Sequence, residues 1–268
     1  MKLSLVFALA AVTACSVACS VDAQTGSTSA PTTTTASATI DFAKDWSVTQ
    51  TGTISPGHDL TFRYDLARLS KCRLTEYGQP AWSVNAYVSF DGGAPTELVL
   101  APHTNGTNTG IIETTIPTPI ASDVAFWFYE SDDSSCHGWD SSFGKNFHFH
   151  IEQAQGPTIH FASNWTTRIG GSIGPGTVLV DYDLSRATCR STYNGNDAFS
   201  VTMYASVDGN APDAIDMTTQ VGARRFAHAQ YVPLPKGNHT LSIWFENSDV
   251  YGCHTWDSSY GANYTFSY

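Results

Sequence analysis

The sequence predicts an all-β protein made of two tandem antiparallel β-sandwich domains, Greek-key or jelly-roll-like, with one disulfide in each. Three observations carry that prediction. Cys72 falls on Cys189 and Cys136 on Cys253 when the chain is laid on itself at one offset (189 − 72 = 117), so a whole domain is written twice. Each copy holds one pair of cysteines, as an exported and stapled domain would. The longest regular stretches, WSVNAYVSF from Trp82 and FSVTMYASV from Phe199, alternate apolar and polar side chains with the period of a strand that buries one face.

In chain order, residues 1–23 are expected to be a signal peptide: one lysine, then an apolar run too short for a membrane span. Val12, Thr13 and Ala14 ahead of Cys15 resemble a lipobox, which would lipidate Cys15 and anchor the protein. Val21 and Ala23 instead suit ordinary cleavage, which would leave an even four cysteines, and both readings stand. Residues 24–38, without charge or large apolar side chains, read as a flexible Ser/Thr-rich linker. Domain one is expected over 39–154 and domain two over 155–268, joined by EQAQGPT. The offset slides to 119 before the first cysteine, where Phe42 and Trp46 meet Phe161 and Trp165. Strands of the first copy are expected near Ile40, Val48, Thr61, Val84, Leu98, Ile112, Phe126 and Phe147, with DGGAP at Asp91 and DGNAP at Asp208 as hairpin turns. The disulfides expected are Cys72 with Cys136 and Cys189 with Cys253. Zinc is disfavoured, because one Cys-His pair per copy without a CxxC spacing supplies too few ligands.

Composition narrows the function. Hydrophobic residues at 41% allow a packed core, and 13 basic against 24 acidic residues give a net charge of −11, which repels nucleic-acid phosphates. After the leader no apolar run approaches the ~20 residues of a membrane span. The motifs of serine hydrolases, zinc proteases, phosphate-binding loops and dinucleotide folds are absent.

Candidate chemistry gathers in the segment CHxWDSSxGxN, Cys136 to Asn146 and Cys253 to Asn263, read as a loop. As plain structure, Asp140 and Asp257 would accept backbone N–H groups and Gly144 and Gly261 would take the left-handed conformation. As a site, Asp132, Asp140, Ser142 and Asn146, with Asp249, Asp257, Ser259 and Asn263, would offer calcium an oxygen-rich cage. Trp139 and Trp256, with Asp140 and Asp257, are the candidate ligand-binding residues. Indoles packed near a disulfide are common in sandwiches, which favours burial, whereas exposed ones would make a platform for sugar rings. Asp65 and Arg68, with Asp183 and Arg186, are expected to form ion pairs within the loop leading to the first cysteine. Asp65 with Asp140, or Asp183 with Asp257, would be the carboxylate pair of a hydrolase. His148 and His150 share one face of the last strand but meet Thr265 and Ser267 in the second copy, so no metal role is assigned to them. Sequons stand at Asn105, Asn164, Asn238 and Asn263.

With YDLxR before the first cysteine and WF, SD and CHxWDSS(F/Y)GxN(F/Y) around the second, both copies resemble a family of secreted bacterial domains of unknown function. The resemblance implies a β-rich extracytoplasmic module and brings no activity or cofactor. The resulting expectation is an exported, non-catalytic module that binds carbohydrate or a cell-surface protein, against two alternatives: an envelope component without a small-ligand site, and a carboxylate-pair hydrolase.

Overall fold

Alternation of apolar and polar residues sorts each strand into an inner and an outer row, and two sheets per copy face each other through the inner rows. The computed structural model describes residues 37–103 and 109–268. The expected signal peptide, Cys15, nearly all of the expected linker and the Asn105 sequon lie outside the described residues. In the first copy one sheet has the order Val48–Thr51, Ala38–Phe42, Asp59–Asp65, Ile111–Pro117. The other runs His137–Asp140, Asp123–Asp132, Trp82–Phe90, Thr96–Ala101, with Phe147–His150 also paired to Asp123–Asp132. The second copy repeats this with Thr167–Gly170, Thr158–Phe161, Gly176–Tyr182, Gln230–Leu234, and with His254–Asp257, Thr240–Asp249, Phe199–Val207, Asp213–Asp216 plus Tyr264–Ser267. All eight strands expected of the first copy are present. No helix among the described residues is long and apolar enough to cross a membrane.

The sandwiches are antiparallel except for one ladder each. Ala38–Phe42 pairs in parallel with Asp59–Asp65, and Thr158–Phe161 with Gly176–Tyr182. The cause is the order of the chain: the second strand takes one edge of the first, so the third must cross over and lie along the free edge, running the same way.

Aromatic rings of the inner rows fill the space between the sheets. Phe128 stacks on Tyr64 at 3.9 Å and meets Phe42 edge-on at 4.7 Å; Phe245 meets Tyr182 at 4.4 Å and Phe161 at 4.7 Å. Asp91 and Gly92, and Asp208 and Gly209, all take positive φ, as the tight turns of DGGAP and DGNAP require. The disulfides are Cys72–Cys136 and Cys189–Cys253, each spanning 64 residues.

Beside each disulfide lies a buried polar group, and the copies solve the same packing problem differently. In the first, Glu130 accepts from the Lys71 N–H and pairs with Arg73 at 3.2 Å. A Cβ on Gly138 would sit 3.0 Å from its Oε1. In the second, the shorter Asn247 bonds the Cys189 backbone instead, and the position of Gly138 holds Thr255.

A hairpin of the second copy, Thr218–Val221 with Arg224–Ala227, places Phe226 in the buried core of the first copy. A tight approach lies nearby, where Gly57 of the first copy takes φ 74° and a Cβ there would fall 2.8 Å from Leu179 Cδ1 and 3.0 Å from Tyr231 Cε2. Gly57→Ala is therefore expected to cost about 1–3 kcal/mol, from left-handed strain plus overpacking. Urea denaturation measures it.

Candidate functional site

Outward residues of the long strand Asp123–Asp132 include Trp127 and Tyr129, because Phe126, Phe128 and Glu130 point inward and are buried. Strand register places Tyr87 opposite Trp127 on one neighbour and Trp139 opposite Tyr129 on the other. The rings form a row across the outer face of the sheet. Trp127 stacks on Tyr87 at 5.6 Å with planes 10° apart, Trp139 lies 6.1 Å from Tyr87 and 4.4 Å from Tyr129, and Trp139 is 54% exposed. A carboxylate joins the row: Glu97 Oε1 accepts from the Tyr87 hydroxyl at 2.9 Å and from Asn85 Nδ2 at 2.7 Å. Partial burial, then the bond to Glu97, pushes the Tyr87 phenol up to about 12.

The second copy rebuilds the row. Trp244 stacks on Tyr204 at 5.6 Å and 9°, Trp256 lies 5.8 Å from Tyr204, and Trp256 is 52% exposed. Its carboxylate comes from a different strand. Glu246, standing where the first copy has Tyr129, accepts from the Tyr204 hydroxyl at 2.6 Å and contacts His254 Nε2 at 2.9 Å. The Tyr204 hydroxyl, and then His254, hold Glu246 below the ordinary carboxylate range. Such a row offers flat apolar planes beside a fixed hydrogen-bond acceptor.

The structure corrects several expectations from sequence. Trp139 and Trp256 do not lie in a loop: His137–Asp140 and His254–Asp257 are strands, and the indoles stand half-exposed on the outer face rather than packed in the core. The carboxylates of Asp140 and Asp257 are taken up by arginines of their own copy. Asp140 is buried and accepts from Arg68 Nε at 2.7 Å and from the Tyr64 hydroxyl at 3.2 Å. Asp257 pairs with Arg186 at 2.7 Å and accepts from the Tyr264 hydroxyl. The expected partners of these arginines, Asp65 and Asp183, instead turn the chain by accepting from the N–H groups of Ala67 and Ser185. A hydrolytic pair of Asp65 with Asp140, or Asp183 with Asp257, loses its second member to the buried arginine.

The guanidinium of Arg68 also donates to the carbonyls of Ala43 and Ser47 and lies 5.0 Å from the ring of Trp46. It thereby clamps the turn that holds Trp46 at φ 70°. Arg186 and Trp165, 4.8 Å apart, repeat the contact. Burial, with the neighbouring Asp140 and Asp257, pushes the Tyr64 and Tyr182 phenols up.

The calcium cage is not assembled. Asp132 lies beyond the end of the ladder at which Ser131 faces His137, whereas Asp140 faces Phe128, so the backbone positions of the two residues are about 13 Å apart along the strand. Asp132 Oδ1 accepts from the Ser134 and Cys136 N–H groups, and Asp249 Oδ1 from those of Tyr251 and Cys253, closing the turns before the second cysteines. Ser142, Asn146, Ser259 and Asn263 adopt left-handed backbone in the WDSS turns, with Gly144 and Gly261 left-handed as expected. Among the described residues one grouping of three ligating types occurs, Asp132 with Cys72 and Cys136, and both of its sulfurs are tied up in the disulfide.

Tyr87, Glu97, Tyr204 and Glu246 are site residues that no sequence motif singled out. The outward phase of Tyr87 is visible in the alternation of Trp82–Phe90, but only the sheet order brings Glu97 beside it.

A search of the curated proteins finds no match to the chain. A family model matches residues 1–152 and again residues 102–268. Together the two matches span the chain, which belongs to this family, a family of unknown function (DUF6209).

Proposed function

We propose that the protein is an exported, non-catalytic carbohydrate-binding module, and that each copy uses its outward aromatic row as a platform for sugar rings. The observation that carries this reading is the recurrence of the row. Trp127, Tyr87 and Trp139 correspond to Trp244, Tyr204 and Trp256, while the carboxylate beside the tyrosine is kept by residues from different strands, Glu97 and Glu246. Packing alone asks for neither half-exposed indoles nor a retained acceptor. Sugars present an apolar face for stacking and hydroxyl donors at the rim, so indole planes beside a carboxylate suit them. The net charge of −11 favours neutral over acidic polymers. Two disulfides suit an oxidising compartment, in keeping with the expected leader.

Titration of the full chain with neutral soluble polysaccharides, followed by tryptophan fluorescence, tests the reading. A saturable change in emission is expected with at least one polymer, and Trp139→Ala and Trp256→Ala are each expected to weaken apparent affinity by about tenfold. No change with any neutral polymer would overturn it.

An interaction-protein reading is favoured by a different feature. Phe143 and Tyr260, at the tips of the WDSS turns, are fully exposed at φ 59° and 58°. Loss of a protein partner, rather than of polysaccharide, on Phe143→Ser and Tyr260→Ser would support it.

A further inference from the structure

A strand that buries one face alternates, and Asp59–Asp65 of the first copy does: Leu60, Phe62 and Tyr64 are buried, while Thr61 and Arg63 between them are partly open. Its counterpart Gly176–Tyr182 is buried on both faces. Val178, Val180 and Tyr182 belong to the second copy's core, yet Leu179 and Asp181 on the opposite face are only 1% and 2% exposed. The first copy covers them. Gly57 abuts Leu179 and Tyr231, the His58 and Tyr231 rings lie 5.8 Å apart, and the Ile120 N–H donates to Asp181 Oδ2 at 3.3 Å. From the second copy, Phe226 and Val221 pack against the first copy's core.

Strand register identifies the same positions on the copy whose face is free. Leu179 stands between Thr158 and Tyr231, as Thr61 stands between Thr39 and Thr115. The leucine and tyrosine of the covered face are thus threonines on the open one, their hydroxyls 2.9 Å apart, and Asp181 is replaced by Arg63, which pairs with Asp41. The other side of the contact is the end of the first copy, where Pro119, Ile120 and Ala121 are partly buried along the cleft between the copies. At the offset of 117 their counterparts are Lys236, Gly237 and Asn238, all exposed. The contact therefore joins unlike surfaces, an end of one copy and a face of the other. Such a contact would repeat without limit if both copies kept both surfaces. The two spare surfaces are instead polar, as the terminal units of a stack are.

We infer that the end of the first copy and the outer face of the second form an interface specific to that pair in that order, which closes after two copies and on which the first copy's core depends. Without the second copy, the first would lose the Phe226 ring from its core, and the second would turn Leu179 and the buried Asp181 out to water. The two copies therefore unfold together rather than as separate beads. The described residues of both fall within one compact unit. Both aromatic rows are carried on that unit, and the inference rests on packing alone, whatever the rows bind.

Calorimetry, native-state hydrogen exchange and sedimentation equilibrium of the full chain test the inference. One thermal transition is expected, with equal calorimetric and van't Hoff enthalpies, and the slowest amides of both copies should exchange through one common opening. Phe226→Ala is expected to lower protection in the first copy's strands Asp59–Asp65 and Trp82–Phe90 by about a hundredfold or more, although the substitution lies in the second copy. The sedimenting mass should not grow with concentration. Two separate transitions, an effect of Phe226→Ala confined to the second copy, or open-ended assembly of the unaltered chain would overturn the inference. Should Phe226→Ala fail to fold, the transitions and the exchange pattern of the unaltered chain still separate these outcomes.

Discussion

Replacing Asp140 by alanine is expected to destabilise the protein by about 3–5 kcal/mol, because it leaves the Arg68 guanidinium buried without its counter-charge. Both side chains of the pair are almost fully excluded from water. The penalty is that of an orphaned charge, not the net worth of the ion pair, and this yields a second, sharper expectation. Changing both residues to apolar ones, Arg68→Met with Asp140→Leu, should recover part of the loss. Recovery should stay incomplete, because the Ala43 and Ser47 carbonyls lose the donors that Arg68 gives them. Chemical denaturation of the single and double variants measures both. A loss below about 1 kcal/mol for Asp140→Ala would mean that water reaches Arg68 and that the pair is not sealed.

Removing one disulfide, by Cys72→Ala with Cys136→Ala, is expected to lower stability by roughly 4 kcal/mol, since the bond closes a 64-residue loop that the unfolded chain would otherwise leave open. The intact Cys189–Cys253 bond provides an internal comparison: reductant should destabilise the variant further, by a similar amount. Little change on removing the first bond would show that the strands around it, held also by Glu130 and Arg73, order that region without it.

Much of the architecture was legible in the sequence because its signals are local or repeated. The alternation from Trp82 and from Phe199, the turns at Asp91 and Asp208, and the doubled cysteine spacing each speak through neighbours in the chain or through the second copy. Contacts made by pairing across strands were not legible. Arg68 has Asp65 three residues away, yet its partner is Asp140, whose carboxylate reaches it only after the two sheets close on each other. The pattern of oxygens from Asp132 to Asn146 has the spacing of a cage, but strand geometry stretches Asp132 and Asp140 to opposite ends of one ladder. His137–Asp140 is a short strand between a cysteine turn and a serine turn, with too few residues to show a period, so Trp139 read as a loop residue. The aromatic row was half legible. The outward phase of Tyr87 follows from alternation, while its union with Trp127, Trp139 and Glu97 needs the order of four strands.

Affinity electrophoresis in gels containing neutral polysaccharide tests the role of the aromatic rows most directly, with four proteins run side by side: the unaltered chain, Trp139→Ala, Trp256→Ala and the double variant. At least one polymer is expected to retard the unaltered chain, and each single variant is expected to be retarded less. The double variant should migrate as it does without polymer, since two linked platforms bind by avidity and fail together. A double variant retarded as strongly as the unaltered chain, or an unaltered chain that no neutral polymer slows, would contradict a sugar-binding role for the rows.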